Sequence, residues 1–426
     1  MNNNRLIIIL GAILLCYMGW TNKYPLLTPA SGTFINSGFT REVPWFGNLW
    51  YGLVIAHASW ASSLWLVIFF QAGLMAVLIY LFFKYFIKSP EYPLWALAFI
   101  TFITGFTTAS VTVSTIEPHV FTGLSVLSVG ILLFAKQICR RDFILVSVIF
   151  VLSCSMDPSN MLSMVLLSGL FMIYGLISIR RKGTELLQKS VLVLAFTFIS
   201  ILMVSSIHHG VGGKFSPVNS YHTAIIPGLM ITEQFQASLM QNSEGLDDKL
   251  DSLLDSKSLE MMQEHDFVSE HAIHSARNAI REMGELETDD AIMFSDSIVT
   301  LRAVFDYYNH EVRDVFISRQ IFKIMHVKTW GGVQVLVSLA GLLLGVIVLK
   351  RHRNSSGYGF VIYLMIVWPV LAFCNSVFYG QAGLQSHIAW LWIFPMFIFF
   401  RESKAVQQYL NRISAILCIN IISKTR

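Results

Sequence analysis

The sequence predicts an all-α polytopic membrane protein of about ten transmembrane helices, and three observations lead there. Hydrophobic residues make up 54% of the 426 residues and charged ones only 13%, against about 25% charged in an average soluble domain. Long stretches hold no Asp, Glu, Lys or Arg, among them 43–83, 92–116, 118–135, 158–179, 190–213, 329–349 and 354–400. A helix needs about 20 apolar residues to cross the hydrocarbon core, so the two longest stretches each hold two helical elements. Finally, basic residues cluster in alternate connections: Lys84 and Lys88; Lys136, Arg140 and Arg141; Arg180, Arg181, Lys182 and Lys189; Lys350, Arg351 and Arg353; Arg401 and Lys404. A cytoplasmic N-terminus puts every one of these clusters inside, as the positive-inside rule requires.

The spans expected in order are Leu6–Trp20, Leu64–Phe86, Leu94–Val113, Val120–Ala135, Phe143–Cys154, Met161–Ile179, Val191–Ile207, Gly331–Leu349, Phe360–Val377 and Ile388–Phe400. The first reads as a signal anchor, since no A-x-A-like cleavage site follows it and Trp20 and Tyr24 suit the interface. Residues 1–207 then form an N-terminal membrane domain of about seven spans with an outer loop at 21–63. Residues 331–400 form a second membrane domain of about three spans, and 401–426 a cytoplasmic amphipathic tail. The expected address is a bacterial inner membrane, with both termini cytoplasmic. The five cysteines (Cys16, Cys139, Cys154, Cys374 and Cys418) avoid the large outer loop, so no disulfide framework is indicated.

Within the first outer loop, GNLWYGLVIAHASWASS (47–63) is apolar but shares its uncharged window with a full span. A second crossing there would invert every later loop against the basic pattern, so an interfacial or re-entrant helix is expected, with Trp50, Tyr51, Trp60 and Trp65 at the interface. The other sizeable outer segment, 208–330, reads as an extracytoplasmic helical domain. Between Glu233 and Lys328 it carries 19 of the chain's 26 acidic residues against nine basic ones, a net of −10. Apolar residues recur there at helical spacing, as in Leu246, Leu250, Leu253 and Leu254. Its acidity argues against nucleic acid or anionic headgroups as partners on that face; a solvated cap and a lid over a substrate cavity are its two readings.

Ionisable residues bordering a span carry the candidate chemistry. Three outer hairpins offer one carboxylate each: Glu42 in loop one, Glu117 in TIEPH and Asp157 in SMDPSN. His57, His119, His208, His209, His222 and His387 fall at a similar level. Convergence of acid, histidine and polar groups on one cavity would suit general-base activation of an acceptor hydroxyl. Alternatively, Glu117 and Asp157 cap the helices opened by Pro118 and Pro158. The stretch HHGVGGKFSPVNSYH (208–222) could place Lys214, His208 and His209 on a lipid phosphate; its spacing matches no strong zinc pattern. The signatures G-x-x-x-x-G-K-[ST], G-x-S-x-G, H-E-x-x-H and C-x-x-C do not occur. The spans hold almost no charge, which disfavours an ion-coupled transporter.

The pieces TPASGTFINSG, TIEPHVFTGL, MDPSNMLSM, GGKFSPVNSYH and GLQSHIAWLWIFP, arranged behind a first span and a long outer loop, resemble the GT-C class of membrane glycosyltransferases. Within that class they resemble an uncharacterised bacterial group with a P-D-S-G-T-Y-like motif after the first span. The resemblance implies a polyprenyl-phosphate-linked sugar as donor, used on the outer face for cell-envelope glycan, lipid or protein glycosylation. Glu42 or Glu117 would act as base, and His119 and Asp157 would position substrate. Arg41, Lys214, His208, His209, Gln385 and His387 would bind substrate. No metal site is implied, and of cofactors only a divalent cation stays open. Ala30 stands where that class carries an acidic residue, and Gln385–His387 replace an expected basic residue. Two alternatives therefore remain. One is a catalytically inactive GT-C-like scaffold binding an envelope partner protein through 233–328. The other is an O-antigen polymerase or ligase-like enzyme using His274, Arg277 and Arg281.

Overall fold

The computed structural model describes residues 3–27, 29–44, 47–87, 90–177, 184–218, 330–351, 356–379 and 382–402. The acidic segment 233–328 and the tail beyond residue 402 lie outside the described residues, and with them His222, His274, Arg277 and Arg281. In chain order the helices are α1 (Asn3–Leu15), α2 (Tyr17–Thr21), α3 (Pro29–Thr40), α4 (Leu49–Ala58), α5 (Trp65–Phe86), α6 (Tyr92–Phe106) and α7 (Ala109–Ser114). There follow α8 (His119–Phe134), α9 (Arg140–Ser155), α10 (Pro158–Ile177), α11 (Thr184–Gly210), α12 (Trp330–Arg351) and α13 (Ser356–Tyr379). A 3-10 helix over Ala382–Ile393 runs into α14 (Phe394–Glu402). The chain is thus a helical membrane-type protein: α5, α10 and α11 are long and apolar enough to cross a membrane, and further apolar helices are shorter.

Two expected spans are interrupted. Leu6–Trp20 divides at Cys16 into α1 and α2, and the N–H groups of Met18 and Gly19 donate to Ser110 Oγ (2.9 Å) and Ser114 Oγ (3.0 Å). Leu94–Val113 divides at Thr107 and Thr108 into α6 and α7. There Ala109 N–H donates to Thr107 Oγ1 (3.1 Å) and Thr108 N–H to Gln334 Oε1 of α12 (2.5 Å). An apolar surrounding offers no water to replace lost helix bonds, so a break persists only where side chains supply acceptors. These acceptors come from other helices and from the break itself, which a hydropathy window cannot register.

The core is aromatic. Phe82 of α5 meets Phe394 at a 4.2 Å ring separation, Phe394 stacks on Phe99 of α6 at 4.2 Å, and Phe82 meets Phe360 of α13 at 4.7 Å. All five rings with Phe83 are buried, so the helices before and after the acidic segment share one interior. Such pairs add about 0.5–1.5 kcal/mol each beyond area burial.

At the basic end of the bundle, Lys84 Nζ and Tyr85 OH both donate to Asp142 Oδ2, at 2.5 and 2.7 Å, and Cys139 N–H donates to Tyr85 OH at 3.1 Å. Burial pushes the Asp142 carboxyl up, but hydrogen bonds from Lys84 and Tyr85 outweigh it and hold the group below its ordinary value. Its stabilising contribution is therefore complete above the ordinary Asp range and is lost only as pH falls through the depressed value. Asp142→Asn is expected to cost about 1.5–3 kcal/mol at neutral pH, read as a lowered melting temperature of the detergent-purified protein.

Candidate functional site

The opposite end of the bundle carries the first loop. Leu26 N–H donates to Ser114 O (2.8 Å) and Ile116 N–H to Leu26 O (3.0 Å), a parallel bridge that fastens this loop to the TIEPH turn. Beyond it the residues PASGTFINSGFT form α3. Pro29 takes the first helical position, where its missing N–H is no loss. Gly38 has a packing role: a Cβ built on it would stand 2.0 Å from Gly52 O. The single interfacial helix expected in this loop is thus a hairpin of α3 and α4.

The start of α4 ties three parts of the chain together. Asn48 is its N-cap, with Oδ1 accepting from Tyr51 N–H at 3.4 Å, while Asn48 Nδ2 donates to Ser155 O at 2.9 Å. Leu49 N–H, one of the orphan donors of a helix start, donates to His208 Nε2 at 3.1 Å. Val43 packs against Gly213. Loop one therefore reaches TIEPH at its beginning and both SMDPSN and HHGVGGK at its end. Asn48→Ala removes the cap and a buried donor to Ser155 O, and is expected to cost about 1–3 kcal/mol, measured as a drop in melting temperature.

Tyr51, expected at the membrane interface, is fully buried instead. Gln71 Nε2 of α5 donates to its oxygen at 3.1 Å, and the edges of Phe34 and Phe121 close on its ring at 5.2 and 5.9 Å. Burial, with the Glu117 carboxylate as the next cause, raises the Tyr51 phenol well above its ordinary value. Trp60 is 83% exposed in a left-handed turn, and the Trp20 and Trp65 rings meet at 4.7 Å, tilted by 35°.

The candidate acids separate by environment. Glu117 is 8% exposed, and His119 Nε2 lies 3.3 Å from Glu117 Oε2. The capping alternative finds Glu117 one residue ahead of the N-cap position of α8, which Pro118 takes. It does describe Asp157: 1% exposed, it accepts Ser159 N–H on Oδ1 at 2.8 Å at the start of α10. Glu42 and Arg41 are exposed after α3, and Arg41 takes a left-handed backbone (φ 63°). His208 is 1% exposed, and its Nε2 accepts Leu49 N–H, so that nitrogen holds the start of α4. His209 and Lys214 beside it are exposed. His57, exposed on α4, points Nδ1 at Leu53 O (2.7 Å).

Ala30 and the 382–387 stretch have described backbones in α3 and in the 3-10 helix, but the side chains of Ala30, Gln385 and His387 fall outside what is described. Among the described residues no group of three His, Cys, Asp or Glu side chains is placed to hold a metal ion. Three residues of this site escaped the sequence: Asn48, Tyr51 and Gln71. Gln71 was the readable one, an amide within an apolar helix.

No protein-family model, curated protein or solved structure matches the chain.

Proposed function

We propose that this chain is a membrane-embedded glycosyltransferase of GT-C-like build, spanning a bacterial inner membrane about ten times and using a polyprenyl-phosphate-linked sugar on its outer face. The observation that carries the reading is the bridge of Leu26 to Thr115, which brings the first outer loop onto the turn holding a buried Glu117 paired with His119. Glu117 is the general base. It takes the proton of an acceptor hydroxyl as that oxygen bonds to the anomeric carbon, and the bond from that carbon to the carrier phosphate breaks, releasing polyprenyl phosphate. His119 holds the carboxylate in place. Arg41, His209 and Lys214 supply exposed donors for the carrier phosphate on the side where Val43 meets Gly213. Asp157 and His208 position α10 and α4.

Proteoliposomes containing the purified chain and a radiolabelled polyprenyl-phosphate sugar, with crude envelope lipid and glycan as acceptor, test this. Loss of label from the carrier is expected with at least one of the glucose, mannose or N-acetylglucosamine forms. An unchanged carrier in every case sinks the reading.

A second reading has its own observation: Ala30 replaces the acid of the resembling class, which fits a scaffold that binds an envelope partner through 233–328. Capture of one envelope protein through that segment, with no carrier turnover, would establish it.

A further inference from the structure

We propose that Tyr51 and Gln71 form a subsite for one hydroxyl group of the sugar carried by the lipid donor; this rests on the transferase reading and names what its site recognises. Both side chains are completely buried. Gln71 lies six residues into α5 from Trp65, about 9 Å along the helix, and its Nε2 donates to Tyr51 OH at 3.1 Å. Its Oε1 is buried with no hydrogen-bond partner among the described residues. A buried acceptor left unmade costs about 1–3 kcal/mol, and the interior of a membrane bundle has no bulk water to relieve it. The pair is therefore polar beyond what holding the two helices together requires.

The unused valences define the ligand. Tyr51 accepts from Gln71, which leaves its own O–H as a donor, while Gln71 Oε1 remains an acceptor. One hydroxyl group satisfies both, because its oxygen accepts and its hydrogen donates. A carboxylate or phosphate brings no hydrogen for Oε1, an ammonium brings no lone pair for the phenol, and an apolar group brings neither. If the amide is turned over, Tyr51 donates to Oε1 and Nε2 becomes the open donor, which a hydroxyl oxygen again accepts. A hydroxyl fits both arrangements, whereas the exclusion of a carboxylate or phosphate belongs to the first alone.

Position ties this pair to the candidate base. Tyr51 meets Phe121 of α8 at 5.9 Å, and Glu117 lies two residues ahead of the start of that helix. The Glu117 charge reaches the Tyr51 phenol. Phe34 of α3 and Phe121 of α8 contribute ring edges on either side.

The test uses the full-length chain in nanodiscs and four probes: undecaprenyl phosphate and its glucosyl, mannosyl and N-acetylglucosaminyl forms. The wild type is expected to bind one sugar-bearing form at least about ten-fold more tightly than the bare carrier, equivalent to about 1.4 kcal/mol. Tyr51→Phe, which keeps the ring, and Gln71→Met, which keeps the volume, are each expected to reduce that preference to about two-fold or less. Bare-carrier affinity should stay near wild type in Tyr51→Phe, while its melting temperature falls because Gln71 Nε2 loses its buried acceptor. Wild-type preference retained in both variants overturns the subsite and leaves the transferase reading standing. Equal wild-type affinity for all four probes does the same. Failure of the wild type to bind any of the four overturns both.

Discussion

Gly38→Ala is expected to cost more than about 3 kcal/mol of stability, while Gly32→Ala in the same helix is expected to be neutral or stabilising. Both glycines sit in α3, and both substitutions gain the same helix propensity, about 0.8–1 kcal/mol. They differ in what the new methyl meets. At Gly32 nothing lies within 4 Å, whereas at Gly38 the Cβ would stand 2.0 Å from Gly52 O and 2.5 Å from Gly52 C. Those are backbone atoms of α4, so relief requires moving one helix off the other. Gly52 is equally confined, its own Cβ meeting Ser37 Oγ at 2.4 Å and Phe34 O at 2.7 Å. Overpacking a fitted contact typically costs 1–3 kcal/mol and more where backbone must shift. Separation of α3 from α4 also withdraws Phe34 from Tyr51 and loosens the helix start held by Asn48 and His208. Melting temperatures and limited proteolysis of the purified variants check the pair, and equal behaviour of the two alanine variants would refute the packing argument.

The second large effect falls on the chemistry. Glu117→Gln is expected to lower sugar transfer by about 10²–10⁴, the usual contribution of a positioned general base, with carrier binding retained. Glutamine keeps the size and can still hydrogen-bond His119, so a melting temperature near wild type should accompany the loss. Glu42→Gln is expected to change transfer little, because Glu42 is exposed beyond the end of α3. Asp157→Asn should act through stability, since Asp157 accepts Ser159 N–H at the start of α10. Single-turnover rates for the three variants separate these roles, and a Glu117→Gln enzyme at wild-type rate would remove Glu117 as the base.

Several features were legible in the chain because they depend on local composition. Apolar runs placed the helices: Trp65–Phe86 and Pro158–Ile177 fall close to the expected Leu64–Phe86 and Met161–Ile179. Asp157 before Pro158 announced a cap, which Ser159 N–H donating to Asp157 Oδ1 matches. Features set by distant partners were not legible. Tyr51 reads as an interface anchor until Gln71, Phe34 and Phe121 close around it. His208 reads as a phosphate ligand until Leu49 N–H is found on its ring nitrogen, 159 residues away in sequence.

The division has a physical reason. Hydropathy and basic-residue placement are sums over single residues and their immediate neighbours, so the sequence alone determined that this is a helical membrane-type chain and roughly where its helices lie. Where a helix breaks, which polar atom satisfies the break, and which two of three carboxylates are enclosed all depend on atoms brought within about 3 Å by packing. Ser110 and Ser114 holding the break at Cys16, Gly38 admitting Gly52, and Leu26 carrying the first loop to Glu117 are tertiary decisions, because each needs two segments that the chain itself keeps tens of residues apart or more than a helix turn away.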